Sequence, residues 1–307
     1  MIKSFKIFAF LFTGAFLLSS CDSDIPVEQL KAKYLKSNSA FIDIDGVSVH
    51  YIMEGKLDDS LPIVFIHGTS ASLHTWDTLS SLLKTNKKII RFDLPAFGLT
   101  GPNRLNQYNF NFYNQFLDEF LSKLNVTKCI VAGNSLGGSI AWNYAIASPD
   151  KVKQLILLDA SGYPKKDEKG SLGFKLAAIP VLNQALKHIS PISLIRKSLE
   201  DAFYNKALVT EKMVQQYHDM LLREGNRAAV LELFQHPMKA DATKIKMITQ
   251  PTLIIWGKED QLISYTNASL FKQDIQNSRV LVLDKVGHIP MEEAPNQVAT
   301  AILEFIK

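Results

Sequence analysis

The chain has 307 residues, 47% of them hydrophobic and 21% charged, a balance that supports a substantial buried core and excludes a disordered protein. Its formal net charge is +4, without a basic cluster of the kind that follows a phosphate backbone, so nucleic acid is not an expected partner. Two cysteines, Cys21 and Cys129, cannot form a disulfide framework.

Residues 1–20 read as a signal peptide. Lys3 and Lys6 precede a twelve-residue run from Ile7 to Leu18, too short for the roughly 20 residues that a spanning helix needs. Leu18-Ser19-Ser20-Cys21 resembles the lipobox of bacterial lipoproteins, which implies that Cys21 is lipidated and becomes the first residue of the mature chain. Each buried CH₂ of an acyl chain adds about 0.8 kcal/mol of membrane affinity, so the expected location is the bacterial cell envelope, lipid-anchored to a membrane. Removing Lys3 and Lys6 leaves a formal charge of +2. Residues 21–39 are polar and are expected to act as a tether, with a short helix over Val27 to Leu35.

Two strand patterns follow, Phe41 to Ile44 and Val47 to Ile52, and the Asp45-Gly46 between them predicts a hairpin. Continuous apolar strands come next, at Ile63 to Ile66, Lys88 to Phe92, Lys128 to Ala132, Gln154 to Leu158, Thr252 to Trp256 and Arg279 to Leu283. Helical patterns over Thr75 to Leu83, Phe110 to Leu124, Leu136 to Ala147 and Asn267 to Ile275 separate most of them. Strands without polar alternation must be covered on both faces, so the expected class is α/β, with an eight-stranded mostly parallel sheet flanked by helices.

Between Asp159 and Thr252 about ninety residues carry no strand pattern, too many for a plain loop. Helical patterns fall at Leu172 to Ala178, Ile192 to Phe203, Glu211 to Arg223 and Ala228 to Phe234. Residues 164–245 are therefore expected to form a helical cap, inserted after strand 6 into a core of residues 40–163 and 246–307. Such a cap would lie over the carboxyl edge of the sheet, where ligands bind in open α/β folds.

Gly133-Asn134-Ser135-Leu136-Gly137 is a Gly-x-Ser-x-Gly match between a predicted strand and a predicted helix. A turn this tight needs small neighbours, and it presents Ser135 to react at the start of a helix. A serine hydroxyl needs a base, and the base needs an acid to orient it. His288 lies just past the last predicted strand, and Asp260 follows the preceding one. Glu259 rivals Asp260, and Asp159, at the end of the strand after the serine turn, fits a variant arrangement. The leading order is Ser135, Asp260, His288.

These residues and their settings resemble the α/β-hydrolase family from about Phe41 to the C-terminus. Phe65-Ile66-His67-Gly68-Thr69 resembles the family's His-Gly loop, and Asp93-Leu94-Pro95-Ala96-Phe97-Gly98-Leu99-Thr100 its aspartate-led loop, which commonly has Gly where Ala96 stands here. The resemblance implies an oxyanion hole made by the backbone N–H groups of Thr69 and Leu136, with His67 and Asp93 organising loops. In relatives that use an aspartate nucleophile, that acid occupies the position of Ser135, so dehalogenase and epoxide hydrolase chemistry are not expected.

No histidine pair has metal-ligand spacing with supporting acids, and neither a metal nor another cofactor is expected. Cys129 reads as a core residue. His74 is a candidate for substrate contact, while His50, His188, His218 and His236 read as packing or surface residues. Phe174, Leu176, Ile179, Phe203, Tyr204 and Tyr217 could line an acyl pocket or fill the interior of the cap. The expected function is a membrane-tethered serine hydrolase acting on a small-molecule ester or lipid through an acyl-enzyme. A carbon–carbon bond hydrolase of the meta-cleavage type and a non-catalytic envelope binding protein are the alternatives.

Overall fold

A computed structural model describes residues 23–164 and 189–307. The leader, Cys21, the helical pattern over Leu172 to Ala178 with Phe174 and Leu176, and also Ile179 and His188, lie outside the described residues.

The sheet opens on the expected hairpin. Strands β1 (Ser39–Ile44) and β2 (Val47–Gly55) pair antiparallel with Ile44 opposite Val47. Asp45 and Gly46 between them take φ of 49° and 75°, the left-handed pair that matches the twist of adjoining strands. The remaining strands are β3 (Ile63–Ile66), β4 (Lys88–Phe92), β5 (Cys129–Asn134), β6 (Val152–Leu158), β7 (Thr252–Gly257) and β8 (Ser278–Leu283). In space the order is β1-β2-β4-β3-β5-β6-β7-β8, parallel from β4 onward.

That order decides where a site can form. The chain leaves β3 for β4 on one side and then returns to place β5 on the other, so the direction of winding reverses between β3 and β5. Loops at the carboxyl ends of those two strands diverge and leave a crevice. Every residue of β3, β5 and β7 is buried, which is why their sequences show no alternation, whereas the edge strand β8 exposes Val280 and Val282.

Helices cover both faces. Leu73–Trp76 is a 3₁₀ turn running into α2 (Asp77–Leu83), after α1 (Val27–Tyr34) at the N-terminal side. In α3 (Phe110–Lys123) the buried residues Tyr113, Phe116, Leu117, Phe120 and Leu121 recur at helical spacing, and Phe120 packs on Phe92 of β4 with ring centroids 4.7 Å apart. Its N-terminus is capped by Asn109, whose side chain accepts the Phe112 N–H at 2.9 Å. Helix α4 (Leu136–Ala147) is apolar nearly all round because it is enclosed between the sheet and α3.

Three helices of the long interval are described: α5 (Ile192–Ala202), α6 (Glu211–Leu222) and α7 (Asn226–Gln235). The chain then re-enters the sheet at β7 and closes with α8 (Thr266–Asp274), α9 (Pro290–Glu293) and α10 (Pro295–Phe305). Among the described residues no helix is long and apolar enough to cross a membrane.

The stretch expected to be a polar spacer is docked from Asp24 onward. Ile25 forms a parallel bridge with Arg223, donating to the Leu222 carbonyl at 2.7 Å and accepting from the Glu224 N–H at 3.0 Å. Asp24 takes two hydrogen bonds from the Arg227 guanidinium, at 2.6 and 3.0 Å, while Lys33 and Tyr34 of α1 both reach Asp219 at 2.6 Å. The polar composition of this strap comes from its partners, which lie about two hundred residues away in the chain.

Candidate active site

Ser135 stands between β5 and α4 at φ 55° and ψ −117°, left-handed backbone that a residue with a Cβ adopts at a cost of about 1–3 kcal/mol. Its neighbours explain how the turn closes. A Cβ on Gly133 would lie 2.2 Å from the Gly137 carbonyl oxygen, and one on Gly137 would lie 2.2 Å from that of Ile66. The Ser135 N–H is held by the Leu158 carbonyl at 3.1 Å, and its own carbonyl accepts from Ser139 and Ser161. Strain is thus fixed by bonds on both sides. Leu136 begins α4, so its N–H has no acceptor one turn back in the helix.

The loop after β3 crosses in front of this turn, close enough that a Cβ on Gly68 would lie 3.1 Å from that of Ser135. Thr69 follows. His67 holds the loop: its Nε2 accepts the Leu94 N–H at 3.0 Å and its Nδ1 donates to the Gly68 carbonyl at 2.8 Å. Complete burial lowers its pKa and keeps the ring neutral in that tautomer. Asp93 accepts from the Leu73 and Leu99 N–H groups at 2.7 and 2.8 Å and pairs with His50 at 2.8 Å. Burial alone would raise its pKa, but His50 and these donors bring it to about 2. Ala96, where Gly is common, sits at φ 89°.

His288 and Asp260 come together from the loops after β8 and β7. His288 Nδ1 lies 2.7 Å from Asp260 Oδ2, and Asp260 Oδ1 accepts the N–H groups of Leu262 and Ile263 at 2.7 and 3.0 Å. The His288 N–H is bonded to the Ala202 carbonyl at the end of α5, at 2.7 Å. Glu259, the near rival, instead braces the loop by accepting the Val286 N–H at 3.0 Å.

Asp159, the other rival, directly follows β6 and lies close to this pair. Its Oδ1 accepts the Gly257 N–H at 2.9 Å, and its Oδ2 is buried with no donor. Burial first, then the charge of Asp260, pushes its carboxyl well above the usual range. Ligand atoms of Asp159, Asp260 and His288 lie within 4.8 Å of one another, near enough to gather an ion. The direct 2.7 Å bond between His288 and Asp260 is hydrogen-bond spacing, however, not that of two groups sharing a metal.

Ser135, His288, Thr69 and Asn134 line one cavity, whose far wall is apolar and comes from α5 and α7, including Leu194, Leu199, Val230 and Phe234. Of the proposed pocket residues within the described set, Tyr217 lines it, whereas Phe203 is buried elsewhere and Tyr204 is exposed. His74 is not a lining residue; it lies 3.5 Å from Asp77 and packs near Tyr34 and His50. Cys129 is buried in β5, where burial pushes its thiol up to about 12. His218 bonds the Ser190 carbonyl at 2.7 Å, and His236 pairs with Glu232 on the surface.

Three residues of the site carried no signal in the sequence. Asn134 donates through Nδ2 to the carbonyls of Leu158 and His288, at 3.1 and 3.0 Å. Arg227 lines the cavity while clasped by Asp24. Glu292 of α9 accepts from Thr75 and, at 3.1 Å, from the Tyr217 hydroxyl, and burial pushes its carboxyl up to about 7.

A family model described as alpha/beta hydrolase fold matches residues 62–295. The chain is 27% identical over 268 residues to the uncharacterized hydrolase YugF of Bacillus subtilis (strain 168), covering 86% of this chain and 96% of the relative. It is 24% identical over 327 residues to monoacylglycerol lipase ABHD6 of Homo sapiens, covering 95% and 94%. Among solved structures, a meta-cleavage product hydrolase (CumD) from Pseudomonas fluorescens IP01 superposes with a TM-score of 0.75 at 22% identity, covering 87% of this chain and 97% of that one.

Proposed function

The chain belongs to the alpha/beta hydrolase fold family, and from that premise we propose that it is a serine hydrolase cleaving carboxylic esters through an acyl-enzyme, tethered to a bacterial membrane by lipid on Cys21. The observation that carries this reading is the strained Ser135 turn opening into the same cavity as a histidine already bonded to a buried carboxylate.

Each group has a role that its surroundings suit. Asp260 accepts from His288 Nδ1 and so leaves Nε2 to take the Ser135 proton as Oγ attacks the ester carbonyl. The N–H groups of Thr69 and Leu136 hold the resulting oxyanion, where losing one donor costs roughly 3 kcal/mol. His288 returns the proton to the departing alkoxide, giving the alcohol and an acyl-Ser135. It then takes a proton from water as the water attacks the acyl group, and returns that proton to Ser135 Oγ as the bond to the acyl group breaks and the acid leaves.

The apolar wall suits an acyl chain, and the monoacylglycerol lipase among the relatives supports a lipid ester as substrate. The anchor would hold the cavity near its supply. Cys21 is three residues from Asp24, so covalent geometry limits the leash between lipid and docked strap to about 11 Å.

Ser135→Ala is expected to abolish turnover of short p-nitrophenyl esters and labelling by a fluorophosphonate probe, with the melting temperature unchanged. Unaltered turnover would remove the proposal. A purified enzyme that ignores esters but cleaves a vinylogous diketone would replace it with carbon–carbon hydrolysis.

A further inference from the structure

Two carboxyl groups stand behind His288, and their partners differ sharply. Asp260 accepts three hydrogen bonds, from the N–H groups of Leu262 and Ile263 and from His288 Nδ1. Asp159 accepts one, from the Gly257 N–H, and keeps a buried oxygen that meets no donor. Neither side chain reaches solvent: Asp159 is 0% exposed, and so is the side chain of Asp260. Like charges this close in a dry site cannot both persist, and the group with fewer donors takes the proton.

We infer that Asp159 is a positioning residue of the triad, a neutral carboxylic acid that directs its proton toward Asp260 and keeps that carboxylate ionised against His288. The inference rests on the reading of Ser135, Asp260 and His288 as a triad. It accounts for two otherwise unconnected observations, the orphan oxygen of Asp159 and the left-handed backbone, φ 45°, that turns its side chain back from the end of β6.

The charged and titratable groups around Asp159 come from each element packed there. Asp260 belongs to the loop after β7, His288 to the loop after β8, and Glu293 to α9, where it accepts the Gly287 N–H at 2.7 Å. A proton donated from Asp159 draws charge away from the Asp260 oxygen that faces His288. Without that donor the carboxylate is a stronger partner for imidazolium, and the base is withdrawn by protonation at a higher pH.

The test compares wild type with Asp159→Asn, which keeps an N–H donor toward Asp260, and Asp159→Leu, which keeps bulk alone. Expected for Asp159→Asn is a kcat/KM within about threefold of wild type and an unmoved acid limb of its pH profile. Expected for Asp159→Leu is a fall of roughly tenfold or more, with the acid limb moved upward by about half a pH unit or more. A cooperative thermal melt near that of wild type establishes that each variant has folded. An Asp159→Leu profile superimposable on wild type would overturn the inference.

A second measurement does not depend on turnover. The infrared difference between wild type and Asp159→Asn at neutral pH should contain a buried carboxylic-acid C=O stretch contributed by wild type. Absence of that band would overturn the neutral acid even in an active esterase. Its presence in a protein that hydrolyses no ester would support the buried proton while removing the esterase reading.

Discussion

The side chain of Asn134 spans the site, giving one amide hydrogen to the Leu158 carbonyl at 3.1 Å and the other to the His288 carbonyl at 3.0 Å. One residue thereby fixes the serine turn to the end of β6 and to the histidine loop. It lies next to Ser135 in the chain but reaches a residue 154 positions away. Asn134→Ala leaves the His288 carbonyl unmet, at about 1–3 kcal/mol, while the Leu158 carbonyl keeps the Ser135 N–H. The expected result is a lower melting temperature and kcat reduced about tenfold or more, because the loop carrying His288 loses its tie to the serine turn. Denaturation and ester kinetics on the same preparation check both, and an unchanged kcat would show that the Asp260 bond alone positions the ring.

Glu292 predicts a pH dependence of stability. Its carboxyl is raised from 4.5 to about 7, so between those values the folded chain binds a proton that the unfolded chain has released. Stability from this group is complete below about pH 4.5 and is lost as pH rises through about 7, amounting to at most about 3 kcal/mol. Glu292→Gln removes the titration and can still accept from Thr75 and Tyr217. The wild-type melting temperature should fall from pH 5 to pH 8, and that of Glu292→Gln should fall less. Parallel curves would place the titrating group elsewhere.

What was legible in the sequence was local. The strand, turn and helix around Ser135 show in nine consecutive residues, since the periodicity changes at the serine and the glycines mark where backbones touch. Asp260 and His288 were legible because each directly follows an apolar strand, and parallel topology brings such strand ends to one edge. The Asp159 proton was not: choosing among Asp159, Glu259 and Asp260 depends on which backbone N–H groups face each carboxylate. The pairing of Asp24 with Arg227 joins two surface-like charges across 203 positions with no motif at either end. Thr75 to Leu83, one helical pattern in the sequence, is preceded by and overlaps a 3₁₀ turn over Leu73–Trp76, whose first N–H is held by Asp93.

That ion pair makes its own prediction. Arg227 is 6% exposed and Asp24 supplies its carboxylate, so Asp24→Ala leaves a guanidinium at the cavity wall without its counter-charge. Breaking a buried pair from one side costs about 3–5 kcal/mol, and because the Asp24 side chain is 45% exposed the expected loss here is smaller, about 1–2 kcal/mol. Replacing Arg227 with Met as well removes the stranded charge, and the double variant should recover most of the lost stability. Thermal melts of the two single variants and the double variant form the cycle; additive losses would mean that the two side chains are not coupled.

The strap also makes the proposed anchor testable apart from the chemistry. Cys21→Ser abolishes the acylation site without touching the cavity, so the protein should move from the membrane to the soluble fraction with its turnover of short soluble esters unchanged. Inserting a flexible segment of ten Gly and Ser residues between Ser23 and Asp24 keeps the lipid but lengthens the leash beyond the roughly 11 Å that three residues permit. If closeness to the bilayer supplies substrate, this variant should stay in the membrane fraction, hydrolyse soluble esters at the wild-type rate and lose activity on esters embedded in vesicles. Equal rates on vesicles would show that Cys21 merely retains the protein. A Cys21→Ser variant still found with the membrane would leave the lipid without a role in location.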